Sequence, residues 1–427
     1  MTAATPEPAR PRQPRPLAEL FREVVSIPTA SYEEQHVLAF VRAFAEERGL
    51  LYEEDAYGNA YVTYKRGPAR RPLVLGAHTD HPGFVVRDVN ARTVELEFRG
   101  GLSGDYGSGE RLVIYEAATG LERGSARIRS VQTNRGAGGP RIAGARATLD
   151  RGVEAAPGDF ALWDVDVCRV RGEVVRARQC DDLAGCVSVL ATLDRLSVLR
   201  PNGHVIGLFT RAEEIGLRGA AIVGRERLLP ENALVIAVET SSMAGGRAEQ
   251  GAGPIVRLGD AMHVFSPKVS QWMVALCQAM REEDRDFRYQ RKLMDGGTTE
   301  ATAYDLYGYE TGAACIALGN YHNAGAKNRV APETVHLGDL EGLVRLFLRM
   351  NETLPRYETY LPEMTKRFDR LGREAASTLR ATVSRVAPVE AAPAPADTRR
   401  TGSSRRRPRI KLPPVRPPRP RRRRGSS

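Results

Sequence analysis

The chain of 427 residues has no run of about 18 consecutive apolar residues, the length that a membrane-spanning helix needs. Its first sixteen residues, MTAATPEPARPRQPRP, lack the apolar core of a secretory signal. Cysteines are few and scattered, and their odd number favours reduced thiols over a disulfide framework; they are Cys168, Cys180, Cys186, Cys277 and Cys315. These absences predict a cytoplasmic protein without a membrane span.

Acidic residues are absent from the last segment of the chain. Residues 399–427 hold 13 Lys and Arg and no Asp or Glu. Because the whole chain has a formal net charge of +11, the rest of the chain has a net charge of 11 − 13 = −2. The segment also lacks interleaved aromatics for stacking on bases, which favours at most a weak, salt-dependent contact with nucleic acid or another anionic surface. Because residues 1–16 and 378–427 are rich in Pro and Arg, we expect both to be disordered.

Between these ends, helix-like and strand-like patterns alternate, with one interruption. Apolar residues at spacings of three and four predict helices from residue 17, and RPLVLGAH predicts a buried strand. Residues 84–175 instead show short alternating runs between Gly-rich turns, which predicts a small inserted all-β domain. The sequence therefore predicts an α/β catalytic domain built from residues 17–83 and 176–357 around this insert.

Potential metal ligands follow the predicted strands. They are His78 and Asp80, Asp181 and Asp182, Glu213 and Glu214, Glu239, and His322. Each string alone has a plainer interpretation, such as a surface turn, a pair of helix caps or a surface acidic pair. An open α/β sheet, however, collects its active-site groups where its strands end. Five strand ends that all carry such side chains favour one split metal site.

The residue types fit a hydrolytic metal centre. In an extended segment His78 and Asp80 face the same side, so the carboxylate can brace the imidazole. Glu213 and Glu214 point differently, so that one can bind a metal while the other takes a proton from water. Glu239 ends an apolar run, where a carboxylate is costly to bury unless it is paired or metal-bound.

Four strings carry a resemblance to a known family. GAHTDHPGF, CDDLAG, AEEIGLRGA and DGGTTEA are similar in order and spacing to motifs of the tetrahedral and glutamyl aminopeptidases, a branch of the dinuclear zinc metallopeptidases. The resemblance covers residues 17–355. It implies a three-layer zinc-exopeptidase-like fold, peptide substrates, a homo-oligomer and two divalent cations. Zn²⁺ is the expected metal, and Co²⁺ and Mn²⁺ accept the same ligands.

The resemblance also implies a role for each candidate residue. His78 and Glu239 would bind one metal, Glu214 and His322 the other. Asp181 would bridge the two metals and join Asp182 through a cis peptide bond. Glu213 is the implied general base, and Asp80 is the implied residue that orients His78. Substrate contacts are expected from the following residues: His81, Gly296, Gly297 and Thr298.

The chain departs from the family pattern at three places. His81 stands where HxDExG has an acidic residue, Thr299 and Glu300 follow GGT where GGTDA is usual, and Glu239 replaces an Asp. Because an acidic residue near the substrate amine favours a free N-terminus, an N-acyl amino acid deacylase or carboxypeptidase-type dizinc hydrolase is an alternative. An alternative from another class is a protein that binds anionic polymers through the basic tail. The Glu213–Glu214 pair argues against a metal-binding relic without turnover.

Overall fold

The structure, a computed structural model, describes residues 13–68, 70–136, 139–294 and 296–382, with the backbone alone for 360–364. The α-helices in this part of the chain are α1 (Leu17–Val25), α2 (Gln35–Arg48), α3 (Leu183–Leu199), α4 (Arg218–Arg225), α5 (Pro267–Glu283), α6 (Glu300–Leu306), α7 (Leu337–Thr353) and α8 (Tyr360–Thr382). Two compact units divide the chain, residues 1–365 and residues 366–427, and the second is described only through the end of α8.

The strands of the first unit form three separate sheets. In chain order they are β1 (Leu51–Glu54), β2 (Ala60–Arg66), β3 (Leu73–His78), β4 (Gly83–Asn90), β5 (Thr93–Arg99), β6 (Arg111–Tyr115), β7 (Glu122–Gly136), β8 (Gly139–Leu149), β9 (Phe160–Trp163), β10 (Cys168–Arg171), β11 (Val174–Ala177), β12 (Gly203–Thr210), β13 (Leu234–Ser242), β14 (Ile255–Arg257), β15 (Gln290–Lys292), β16 (Glu310–Leu318) and β17 (Glu333–His336).

The largest sheet has eight strands in the order β1-β2-β12-β3-β13-β16-β14-β15. Its four central strands are parallel and almost entirely buried, as a sheet covered on both faces requires. Successive side chains point to opposite faces, so Leu73 and Leu75 join the core formed with α3 and α7, whereas Val74 packs with α4 and α6. The predicted α/β architecture is confirmed, and its layers are helix, sheet and helix.

Local sequence explains where several helices begin and end. Ser266 caps α5 by accepting from the Val269 N–H, and Pro267 takes the first helical position, where a missing N–H costs nothing. Thr299 caps α6 in the same way through the Ala301 N–H. Helix α2 ends at Gly49, whose φ of 66° is the left-handed conformation that glycine adopts without strain.

A closed six-stranded barrel stands between β3 and β12 in the sequence, with strand order β4-β5-β8-β7-β6-β9. Its core is aromatic: the Phe84 ring packs 4.8 Å from Phe98 and 5.0 Å from Trp163, the latter edge to face. Strands β10 and β11 also fall largely within the predicted insert 84–175, but they lie outside the barrel, because β10 pairs with β11 and β11 pairs with β17. The reason is burial, because Val175 and Ala177 of β11 pack into the core of the α/β domain.

The predicted disordered ends differ from the structure where it describes them. Within the predicted arm 1–16, the Arg15 main-chain N–H donates to Asp194 at 2.6 Å, and its guanidinium pairs with Glu23 at 2.7 Å. Helix α8 continues through residues 378–382. The rest of both predictions, residues 1–12 and 383–427, lies outside the described residues. No described helix has both the length and the apolar character needed to cross a membrane.

Candidate metal centre

Strand register brings the predicted site residues to one edge of the large sheet. His78 ends β3 and pairs in register with Thr210, the last residue of β12. In the next strand Ala237 pairs with Gly76, so Glu239 stands level with His78. Glu213 and Glu214 follow β12, His322 follows β16, and Asp181 precedes α3. The carboxyl ends of parallel strands thus converge as the sequence predicts.

The Asp181 carboxylate lies between the two histidines. Its Oδ1 is 3.4 Å from His78 Nε2, and its Oδ2 is 3.5 Å from His322 Nε2. His322 Nε2 also lies 3.1 Å from Glu214 Oε2, while His78 Nε2 lies 3.9 Å from both Glu213 Oε2 and Glu239 Oε2. One carboxylate with a histidine facing each oxygen is the arrangement that a bridge between two cations requires.

Three overlapping groups of side chains could each hold a metal ion, because within each group the ligand atoms lie within 4.8 Å of one another. They are His78 with Asp181 and Glu214, His78 with Glu213 and Glu239, and Asp181 with Asp182 and Glu239. Asp182 also caps α3, because its Oδ1 accepts from the Gly185 N–H at 3.2 Å. The peptide bond between Asp181 and Asp182 is cis.

Both histidines are oriented through the ring nitrogen that faces away from Asp181. His78 Nδ1 contacts the Asp80 main-chain oxygen at 3.1 Å and its Oδ1 at 3.4 Å. His322 Nδ1 donates to the carbonyl of Gly101 at 2.7 Å, in the loop between two barrel strands. A hydrogen bond at Nδ1 leaves the Nε2 lone pair for a metal, as ligating histidines require.

Asp80 does more than orient His78. Its carboxylate accepts from the main-chain N–H groups of Glu213 at 2.9 Å and Glu214 at 3.1 Å. The Ser31 hydroxyl donates to the same carboxylate at 2.6 Å. Asp80 therefore fixes the loop that carries Glu213, the implied base, and Glu214, an implied metal ligand. The sequence did not predict this second role of Asp80.

Electrostatics in the cluster fit bound cations. Burial raises the pKa of Glu213 well above its usual range, and Glu239 and Glu214 add to that rise against the opposing effect of His78. Burial likewise raises the pKa of Glu239 to about 8. Asp181 Oδ1 and Glu214 Oε1 are buried without a hydrogen-bond partner among the described residues. Buried carboxylates of this kind are stable when a metal supplies the missing positive charge.

The histidines respond to the same excess of carboxylates. Burial alone would lower the pKa of His78, but Glu213, Asp181, Asp80 and Glu239 together hold it well above its usual value. Likewise, Glu214 and Asp181 hold the pKa of His322 well above its usual value against the effect of burial. In the absence of a metal these rings take up protons, so protons and cations compete for the site.

His81 is placed differently from the sequence prediction, which made it a substrate contact. Its ring is fully buried and is not among the residues that line the cavity. Nδ1 lies 2.6 Å from the carbonyl oxygen of Asp181, and Nε2 lies 3.1 Å from Asn323 Oδ1. Burial lowers the pKa of His81 to about 4, and the contacts with the Asp181 carbonyl and the Asn323 amide oppose that shift. It braces the Asp181 main chain from behind.

A cavity of about 150 Å³ opens onto the ligand cluster. The predicted substrate contacts Gly296, Gly297 and Thr298 line it, as does the buried side chain of Arg257, which sequence reasoning missed. The Arg257 guanidinium donates to Ser241 Oγ and to the carbonyls of the residues that follow: Gly259, Met294 and Gly297. A lone Arg in a three-residue strand gives no sequence signal for this position.

Comparison with known protein families now identifies the class of this fold and site. Residues 58–346, about two thirds of the chain, match the M42 glutamyl aminopeptidase family. Family and site together define a metal-dependent exopeptidase. The chain belongs to the M42 peptidase family.

Individual relatives agree with this assignment. The cytosol non-specific dipeptidase of Escherichia coli (strain K12) is 37% identical over 73 residues, which span 16% of this chain and 14% of the dipeptidase. An aminopeptidase from Desulfurococcus kamchatkensis superposes with a TM-score of 0.66 at 20% identity, over 79% of this chain and 94% of its own. The TET1 peptidase of Pyrococcus horikoshii superposes with a TM-score of 0.64 at 21% identity, over 79% of this chain and 99% of its own. At these identities the structural likeness shows the fold.

Proposed function

We propose that the protein is an aminopeptidase that removes N-terminal residues from peptides and uses two divalent cations, Zn²⁺ or else Co²⁺ or Mn²⁺. The observation that carries the proposal is the position of Asp181, whose two oxygens face His78 and His322 at 3.4 and 3.5 Å. This geometry provides one cation position on each side of a shared carboxylate.

The residues divide between two positions. His78 and Glu239 would hold one cation, Glu214 and His322 the other, and Asp181 both. When bound, the cations would lower the pKa of a water molecule and polarise the substrate carbonyl. Their charge would also stabilise the ionised forms of the buried carboxylates, whose pKa values burial raises.

Glu213 is suited to move the proton. Its side chain lines the cavity, and its main-chain N–H is fixed by Asp80 at 2.9 Å. In the proposed reaction its carboxylate takes a proton from the attacking water as the new C–O bond forms. It then gives this proton to the leaving amine as the peptide C–N bond breaks.

Arg257 supports a preference for substrates that carry a carboxylate. The Arg257 guanidinium is buried in the cavity wall. Among the described residues, it donates hydrogen bonds only to neutral oxygens. An acidic side chain on the N-terminal residue, or the free carboxylate of a short peptide, would give it an anionic partner. Arg257→Met should then lower kcat/KM for substrates with an N-terminal Glu by about tenfold or more. Substrates with an N-terminal Leu are the control substrates, and Arg257→Lys, which keeps the positive charge, is the control variant.

A substrate panel tests the activity. Protein stripped with a chelator and reloaded with Zn²⁺, Co²⁺ or Mn²⁺ should hydrolyse aminoacyl anilides that have a free amine. The same amino acids with an acylated amine, offered as deacylase substrates, should remain intact. If only the acylated compounds turn over, the aminopeptidase proposal is wrong and the deacylase alternative stands.

We also propose that the chain forms a homo-oligomer, because the Pyrococcus horikoshii TET1 peptidase assembles into a tetrahedron or a large octahedral shell. Light scattering on the full chain would show a mass several times 46.8 kDa. The predicted contact of the basic tail with nucleic acid has no support in the comparisons. It stays a prediction from the sequence, as does the cytoplasmic location.

A further inference from the structure

Glu333, a fully buried residue at the start of β17, contacts the backbone of two candidate ligand segments at once. Its Oε2 accepts from the N–H of Cys180 at 2.7 Å and from the N–H of Asp181 at 3.0 Å. Its Oε1 accepts from the N–H of His322 at 2.8 Å. One carboxylate therefore holds the implied bridging residue and an implied histidine ligand.

Strand β17 is held between the same two segments by backbone pairing. On one side Glu333 pairs with Ala177 of β11, three residues before Cys180. On the other side Thr334 exchanges main-chain hydrogen bonds of 2.9 and 3.0 Å with Gly319, three residues before His322. The Glu333 side chain extends this pairing to the points where the two segments enter the metal cluster.

The His322 segment needs such a restraint. His322 and Asn323 have φ values of 54° and 61°, in the left-handed region that residues other than glycine rarely adopt. Surrounding contacts must stabilise such backbone. Asn323 contributes by donating to the carbonyls of Arg178 at 2.9 Å and Ala331 at 3.1 Å, and Glu333 contributes through the His322 N–H.

Glu333 has no Lys or Arg in ion-pair contact among the described residues, so backbone N–H groups are its compensation for burial. A carboxylate is the side chain that suits this position, because every group facing its two oxygens is a hydrogen-bond donor.

We propose that Glu333 is a positioning residue that sets the distance between Asp181 and His322, and through it the affinity of the site for the cation that both would bind. The proposal rests on the proposed two-cation function. Glu333 lies behind the candidate ligands and is not among the residues that line the cavity, so it acts through those ligands. Residues that orient metal ligands in this way typically change metal affinity about 10- to 100-fold when replaced.

The test is Glu333→Gln, which keeps the shape of the side chain. In either orientation the amide places its NH₂ group against at least one of the three N–H donors, so Asp181 or His322 must move. Titration calorimetry of the chelator-stripped full chain with Zn²⁺ and with Co²⁺ should show one of two binding steps weakened about 10- to 100-fold. Glu333→Asp retains the charge and should recover part of the loss.

Asp339→Asn is the matched control. Asp339 is also a buried carboxylate that accepts two backbone N–H groups, from Gly251 at 2.9 Å and Gly253 at 2.7 Å, but it contacts no candidate ligand. We expect this variant to lower the Tm of the metal-free protein and to leave both binding steps within about twofold of wild type, a change of less than 0.5 kcal/mol in binding free energy.

Two results would overturn the proposal: wild-type affinity for both cations in Glu333→Gln, or equal losses of affinity in Glu333→Gln and Asp339→Asn. If Glu333→Gln does not fold, Glu333→Asp decides by the same titration, with wild-type affinity and a lowered Tm counting against a positioning role. A wild-type chain that binds no second cation would instead contradict the proposed function. The two failures are therefore distinguishable.

Discussion

The barrel core and the metal cluster are equally buried but differ in what burial does to them. Phe84 in the barrel is 1% exposed and Asp181 in the cluster is 3% exposed. For Phe84, removal from water is favourable and contributes about 1.5–3 kcal/mol. For Asp181 the same burial costs free energy, which His322 and His78 offset by holding its pKa below the usual range. Burial by itself therefore stabilises the barrel core. The cluster is stable only when neighbouring groups and cations compensate the buried carboxylates.

The largest expected effect separates chemistry from stability in the cluster. Glu213→Gln removes the proton acceptor and should lower kcat by about 100- to 10,000-fold. Because Gln preserves the shape and removes one buried carboxyl, the Tm and metal content should stay at or above wild type. Unchanged turnover at full metal occupancy would remove Glu213 from the mechanism.

The opposite pattern is expected in the barrel. Phe84→Ala leaves a void between Phe98 and Trp163 and should lower the free energy of unfolding by about 3–5 kcal/mol in denaturant titrations. Metal affinity of the folded fraction should change by less than about threefold, because no ligand contacts this ring. A loss of affinity as large as the loss of stability would show that barrel and cluster are one energetic unit.

Metal removal should affect the cluster more than the barrel. At free cation 100 times above its Kd, bound metal stabilises the fold by about 2.7 kcal/mol, so chelation should lower the Tm. Hydrogen exchange should quicken more at the amides of Asp181 and His322 than at amides of the paired strands β7 and β8. Equal loss of protection in both regions would contradict the separation.

A smaller effect is expected from pH at Glu300, a buried neighbour of the cluster. Burial raises its pKa to about 7, with His78, Thr210 and Tyr304 opposing and Asp80 adding to the rise. A carboxyl with a raised pKa contributes most below its unfolded pKa and loses that stability as pH rises through the folded pKa. Metal-free Glu300→Gln should therefore gain about 2 kcal/mol relative to wild type between pH 5 and pH 8. A pH-independent difference would place the Glu300 pKa near its ordinary value.

The sequence predicts that these side chains lie close together because each of them is part of a local motif. His78 and Glu239 lie in buried parallel strands and Glu213 and Glu214 follow another, and parallel register alone brings His78, Thr210 and Glu239 level. Asp182 fits both interpretations of the Asp pair. It caps α3, and it also lies beside Asp181 and Glu239 in the cluster.

Residues that act through tertiary contacts escape such reasoning. Glu333 lies more than 150 positions from Cys180, and Gly101 lies 221 positions from His322. Strand β11 looks like part of the β insert, yet packing of Val175 assigns it to the α/β core. His81 fails for a related reason: its motif position indicates the pocket, but its ring turns toward the Asp181 carbonyl.

The most direct test of the central claim is anomalous X-ray scattering from crystals of the zinc-loaded full chain. We predict two zinc peaks on opposite sides of the Asp181 carboxylate, one beside His78 and one beside His322. A single peak, or two peaks with no contact to Asp181, would contradict the account.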